Sequence, residues 1–209
     1  MKIPAAARPL LRRTAAVTLV SDRAHYDEVI LGAVSRARVS VWIGTANLKE
    51  LHVEARVGTR ARARGRYVTI LETFQELAAR GVELRILHGA LPSRPFREEL
   101  ARRKALVRPL AMRHCPRVHL KVIAVDGRSL YLGSANFTGA GLGARGEGRR
   151  NFEMGILTDD EGLLDAVQER FERIWSGKEC GACKLRAVCP RPLDLPPPPV
   201  KTPRAAVRR

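Results

Sequence analysis

A chain of 209 residues, 45% hydrophobic and 28% charged, can bury a core without disulfides and amounts to one ordinary domain with tails. Its 38 Lys and Arg against 21 Asp and Glu give a formal net charge of +17. That charge attracts nucleic acid, anionic lipid surfaces or acidic polymers, although an arginine-rich codon usage produces the same excess with no partner. No stretch approaches the ~20 apolar residues of a membrane helix. The apolar run from Ala15 to Val20 is shorter than the roughly 7–15 residues of a secretion-signal core. Clustered cysteines do not read as a disulfide framework, so a cytoplasmic protein is expected.

Residues 1–18 are basic, with Pro4 and Pro9, and read as an N-terminal arm. Ser21 or Asp22 is placed to cap a helix through about Arg38, in which Tyr26, Val29, Ile30, Ala33 and Val34 form one apolar face. Val39–Ile43 suits a buried strand. The Gly44-Thr45-Ala46-Asn47 that follows falls at a strand C-terminal end, where open α/β sheets bind ligands. Residues 50–66 break the pattern: Arg56, Arg60, Arg62, Arg64 and Arg66 alternate with Gly58 and Gly65. This basic loop is either a solvated connection or a phosphate-tracking loop in which Arg60, Arg62 and Arg64 bind substrate. A helix is expected over Val68–Arg80, ended by Gly81, then a strand over Val82–Leu87 and a basic helix over Phe96–Val107.

Val118–Val125 and Ser129–Leu132 read as strands joined by the hairpin signal Asp126-Gly127. A glycine-rich insertion over 139–148, a strand over Asn151–Leu157 and a helix from Asp159-Asp160 to Trp175 follow. The order predicts an α/β fold, a mixed β-sheet flanked by helices. The divisions are a catalytic domain over 19–176, a short Cys-rich segment over 177–191 and a Pro/Arg-rich disordered tail over 192–209.

The stretch His119–Asn136, HLKVIAVDGRSLYLGSAN, holds the chemistry. A histidine can attack phosphorus, splitting phosphodiester cleavage into two easier steps through a phosphohistidine. A second acid must then protonate the leaving oxygen. Lysine, serine, asparagine and backbone N–H groups can hold the phosphoryl oxygens, and nothing in this scheme requires a metal. The arrangement His119-x-Lys121-x4-Asp126-x6-Gly133-Ser134-x-Asn136 resembles, position for position, the motif of the phospholipase D superfamily. Asn151-x-Glu153 is similar to the Asn-x-Glu that follows it there, and the likeness extends over roughly residues 20–175.

The resemblance implies a phosphodiesterase in which His119 is nucleophile or general acid. Lys121 and Asn136 would bind phosphate, Ser134 support them, Glu153 orient a histidine, and Asp126 act structurally or electrostatically. Large members carry the motif twice. This chain carries it once, and its other histidines (His25, His52, His88, His114) lack the partner residues. It therefore resembles the short single-motif members, which include bacterial endonucleases and act as symmetric homodimers. Net charge favours a nuclease acting on DNA or RNA. The alternatives are a phospholipid phosphodiesterase or phosphatidyltransferase in peripheral contact with lipid, and an inert nucleic-acid-binding module.

Cys180-x2-Cys183-x5-Cys189 is too regular for packing alone. It resembles the C-terminal part of iron–sulfur staples in some DNA repair glycosylases and DNA-processing nucleases, which use a fourth, more distant cysteine. Cys115 is the candidate here. An iron–sulfur cluster, a zinc ion (with a histidine such as His114) and unliganded thiols all remain open, with a structural role expected for any metal.

Overall fold

The computed structural model describes residues 11–55 and 58–196. Most of the N-terminal arm, Arg56 and the end of the proline-rich tail lie outside the described residues.

A seven-stranded mixed sheet organises the chain. Its strands are β1 (Thr18–Ser21), β2 (Ser40–Thr45), β5 (Glu83–His88), β6 (Leu110–His114), β7 (Lys121–Val125), β8 (Ser129–Gly133) and β9 (Met154–Thr158). They lie in the order β1-β9-β8-β7-β2-β5-β6. The β2–β5 and β5–β6 pairs are parallel, and the other pairs are antiparallel. A two-stranded ribbon, β3 (His52–Glu54) with β4 (Tyr67–Thr69), stands apart from the sheet.

The pleat decides the layers, because successive side chains point to opposite faces. Val41, Ile43, Ile123, Val125 and Tyr131 face one side. There they pack against the first helix (His25–Ala33), α2 (Ile70–Ala79), α3 (Arg94–Arg102) and α4 (Lys104–Val107). In α2 the buried residues Ile70, Leu71, Phe74 and Leu77 recur at helical spacing, each contributing about 1.5–3 kcal/mol on burial. Trp42, Ala124 and Leu130 face the other side and are covered by α5 (Glu161–Trp175) through Leu164 and Phe171. Asp160 caps α5, accepting the backbone N–H of Leu163 at 2.8 Å. The α/β layering and the mixed sheet stand as the sequence predicts.

Four departures carry physical reasons. Thr18–Ser21 is an edge strand paired with β9, too short for its alternation to register in sequence. The first helix is π-bonded over His25–Ala33 and has Ala24 at its N-cap, with no side-chain cap; Ser21 is in β1 and Asp22 has φ 44°. Leu110–His114 forms β6, its polar end hiding a parallel edge strand. Residues 50–66 are not one loop: they contain β3 and the short helix α1 (Arg60–Ala63), capped by Thr59.

The hairpin between β7 and β8 turns through Asp126 at φ 56° and Gly127 at φ 62°. Two positive φ values match the twist of the flanking strands, which is why Asp-Gly occupies this position.

Candidate active site

One end of the sheet gathers the residues of the His119–Asn136 motif, with Glu153, into a row. Thr45 stands opposite Lys121 in the β2–β7 register. Val122 pairs with Leu132, which sets Lys121 beside Gly133, and Gly133 in turn pairs with Gly155. Four adjacent strands therefore end together where His119, Lys121, Ser134, Asn136 and Glu153 are presented.

His119 lies just before β7 and its side chain is exposed. Lys121 folds its Nζ back to donate to the His119 carbonyl at 3.1 Å, so the ammonium is held beside the histidine. Burial pushes the Lys121 ammonium below the ordinary lysine value, and the nearby Glu153 carboxylate opposes that shift. The Ser134 hydroxyl donates to Glu153 Oε2 and accepts the Met154 N–H at 3.1 Å. Asn151 Nδ2 donates to Glu153 Oε1 at 3.1 Å. Glu153 is fixed from its backbone as well: its N–H donates to Asp22 Oδ1 at 3.3 Å, and its carbonyl accepts the Asp22 N–H at 3.1 Å.

Asn136 is held by β2. Its Oδ1 accepts the Asn47 N–H at 3.0 Å and lies 3.4 Å from the Thr45 hydroxyl, whose proton goes to the Asn47 carbonyl at 2.8 Å. Thr45 Oγ1 also accepts the Phe137 N–H at 2.9 Å, tying the two loops together. With the amide oxygen engaged, the Asn136 amino group is the donor left for an anion.

Gly133 and Gly155 allow a close approach that nothing larger permits. A Cβ on Gly133 would stand 2.2 Å from the Tyr131 hydroxyl, and one on Gly155 would stand 2.4 Å from the Tyr131 ring. Tyr131 is buried, its hydroxyl accepts the Ala135 N–H at 3.3 Å, and burial pushes its pKa up to about 12. Beneath it lies His25, edge-on at 5.4 Å between ring centroids and fully buried. Burial lowers the His25 pKa, against its bond to the Asp22 carbonyl.

Not every expected residue comes to this place. Asp126 sits at the far end of β7, about 17 Å from Lys121 at roughly 3.4 Å per residue. Its carboxylate accepts the backbone N–H groups of Arg38, Val39 and Ser40 at 2.7–3.1 Å. Burial alone would raise its pKa; those hydrogen bonds outweigh it and hold the carboxyl below its ordinary value. It clamps the hairpin to the start of β2 and touches none of the phosphate-site groups.

Arg60, Arg62 and Arg64 are not brought to His119 either. Arg62 pairs with Glu54 and lines a recess of about 600 Å³ with Arg36, Arg38 and Arg80. That recess lies at the beginning of β2, whereas the site lies at its end.

A basic pocket does adjoin the site. About 330 Å³ in volume, it is lined by Asn47, Lys49, Asn136, Asn151, Arg145 and Arg149, among others. Burial alone would raise the pKa of the neighbouring Glu50, but the 2.7 Å bond from the Ser93 hydroxyl, with a smaller contribution from Arg145, outweighs it and holds the carboxyl low. Lys49, Arg145 and Arg149 are the residues that sequence reading missed. For Arg145 and Arg149 the signal was the glycine-rich insertion, in which Leu142 is buried and the Ala140 carbonyl accepts the Asn151 N–H, so that it turns back to the strand end; Lys49 follows β2 and carried no such signal.

Among the described residues no group of three or more His, Cys, Asp or Glu is arranged to hold a metal ion. No helix among them is long and apolar enough to cross a membrane.

The model of the cardiolipin synthase, phospholipase D-like domain matches residues 30–175. No curated protein sequence matches the chain. The fold is similar to that of the phospholipase D family member Nuc from Salmonella typhimurium, at 17% identity and TM-score 0.53 over 78% of this chain and 95% of that one. Phosphatidylserine synthase from Haemophilus influenzae Rd KW20 aligns at 12% identity and TM-score 0.52, over 77% of this chain and 38% of that one. NucT from Helicobacter pylori aligns at 18% identity and TM-score 0.49, over 77% and 95%. With the family model covering β2 to β9, the row of site residues and α5, the chain belongs to the phospholipase D-like family.

Proposed function

We propose that the protein is a metal-independent phosphodiesterase that cleaves nucleic acid through a phosphohistidine, as a homodimer. The observation that carries this reading is the row of Thr45, Lys121, Gly133 and Gly155, which sets an exposed His119 beside Lys121, Ser134 and Asn136. The His119 imidazole attacks phosphorus in line with the leaving oxygen. Lys121 and the Asn136 amino group hold the non-bridging oxygens and meet the charge that builds there. Ser134 and Asn151 are kept in place by Glu153. A water molecule then displaces the histidine from phosphorus.

One chain supplies a single His-x-Lys set, while the two half-reactions need a nucleophile and a separate acid. A two-fold axis beside His119 supplies the second imidazole from an identical chain. Support for that placement comes from the exposed apolar residues flanking Glu153: Phe152 is 98% exposed and Met154 59%.

Lys49, Arg145 and Arg149 favour a polyanionic substrate, since a phosphate chain leaving the site crosses their pocket. The free thiols suit a reducing compartment, here the cytoplasm.

The deciding experiment offers the purified protein labelled single- and double-stranded DNA, RNA and phosphatidylcholine, with and without EDTA. The expected result is EDTA-resistant cleavage of nucleic acid, absent in His119→Ala, with an acid-labile phosphoenzyme trapped on the wild type. Turnover of lipid alone would overturn the substrate reading. Nucleic-acid binding without cleavage would overturn the enzymatic one.

A further inference from the structure

Four thiols lie outside the phosphate site, and the fold brings them to one place. Cys115 follows β6, while Cys180, Cys183 and Cys189 lie on successive turns after α5. Those turns are linked in series: the Cys180 N–H donates to Gly177 O, that of Cys183 to Cys180 O, that of Arg186 to Cys183 O and that of Cys189 to Arg186 O. All four cysteines are free and partly buried, and they line one cavity of about 30 Å³ with Arg117 and Arg186. Backbone N–H groups point at the sulfurs, that of Arg117 at Cys115 and those of Leu185 and Arg186 at Cys183. The Arg117 guanidinium also reaches Cys183. N–H groups directed at sulfur are the arrangement that supports metal-bound thiolates and tunes them.

We propose that Cys115, Cys180, Cys183 and Cys189 together ligate one iron–sulfur cluster, which fixes the segment 177–194 against the sheet beside His119. Each thiol releases its proton to solvent and binds one iron of a four-cysteine cluster, built from two ferrous ions, two ferric ions and four sulfides. A single zinc ion would need all four sulfurs within about 2.3 Å of one point. All four cysteines line one cavity, while among the described residues no three of them are placed to hold a single ion; a four-iron cluster gives each cysteine its own iron. Arg117, Arg186 and Arg191 line the same cavity and offset the negative charge of four thiolates. His114 also reaches it, but its Nε2 bonds the Gly89 carbonyl at 2.9 Å and its ring stacks on His88.

The location gives the cluster a task. Cys115 N–H donates to His88 O at 3.0 Å, and Val118 N–H donates to Cys115 O at 2.9 Å. This turn delivers the chain to His119. Val118 packs with Leu87, Phe171 and Leu193, so the returning segment and the catalytic loop share one small core. A cluster joining Cys115 to the three later cysteines locks both.

The test uses the full chain purified and reconstituted anaerobically with equal amounts of ferrous and ferric iron and with sulfide. Broad visible absorption, about four iron and four sulfide per chain, and a paramagnetic signal on reduction are expected. Cys115→Ser and Cys183→Ser lose that content after the same reconstitution, while His114→Ala and His119→Ala keep it. Oxidative bleaching of the wild-type chain, which involves no variant, opens residues 177–196 to protease before the 19–175 region. Four results would each overturn the proposal: a colourless chain after reconstitution, zinc in place of iron, full iron content in Cys115→Ser, or unchanged proteolysis on bleaching.

Discussion

The Ser134 hydroxyl donates to the Glu153 carboxylate across the end of the β8–β9 pair. Asn151 approaches the other carboxylate oxygen at 3.1 Å, so one acid organises two residues that neighbour His119 and Lys121. Glu153→Gln keeps the shape but removes the charge and leaves one of the two contacts poorly matched. We expect kcat to fall by about 10²–10³ with little change in melting temperature. Oligonucleotide cleavage under saturating substrate measures the first, and a thermal melt the second. Unchanged kcat would show that Glu153 only closes the strand pair.

Lys121 gives the site an alkaline limit. It serves as a cation, so activity is present below its pKa and is lost as pH rises through it. Burial places that pKa below the ordinary lysine value, and Glu153 pulls it back upward. The alkaline limb of kcat/KM should therefore lie below the range of a free lysine. Glu153→Gln should move the limb to lower pH still, because the opposing carboxylate is gone. Lys121→Arg should remove the limb from the measurable range, at reduced rate. A limb that stays in place in Glu153→Gln would break the link between the two residues.

Asp126 should be a stability residue. Three backbone N–H groups converge on its carboxylate; removing the acceptor costs about 1–2 kcal/mol, moderated by its solvent exposure. Its folded pKa is depressed, so its contribution is present above the ordinary aspartate value of 3.8 and is lost as pH falls through the lower folded value. Asp126→Asn should melt earlier than wild type at neutral pH, and the difference should shrink in acid. Activity per folded molecule should change little. A large loss of kcat in a stably folded variant would return Asp126 to the catalytic group.

The local spacing of the motif reads directly from the sequence because its geometry is local. His119 and Lys121 flank one strand start, Asp-Gly imposes one hairpin, and Gly-Ser-x-Asn follows one strand end. The place of the arginines over 60–64 depends on which end of the sheet they meet. That is fixed by the β2–β7 register and the β3–β4 ribbon, neither of which a linear pattern of charges reveals. β1 and β6 stayed hidden for a related reason: each is a sheet edge, and each is defined by the neighbour it joins. The convergence of Cys115 on Cys180, Cys183 and Cys189 needed the path of α5 across the sheet as well as the spacing.

Lys49, Arg145 and Arg149 offer a way to separate substrate tracking from chemistry. They line the pocket beside Asn136 and Asn151, and none of them contacts His119 or Lys121 through a hydrogen bond among the described residues. A cation that neutralises one phosphate contributes about one unit to the slope of log affinity against log salt. Arg145→Ala and Arg149→Ala should therefore weaken oligonucleotide binding and flatten that slope by about one unit each, raising KM while kcat is largely kept. Arg62→Ala, at the far end of β2 and paired with Glu54, should leave both nearly unchanged. Equal losses in kcat and KM for Arg145→Ala would mean that the insertion shapes the catalytic centre itself. A weakened slope in Arg62→Ala would mean that the substrate also crosses the recess at the beginning of the sheet.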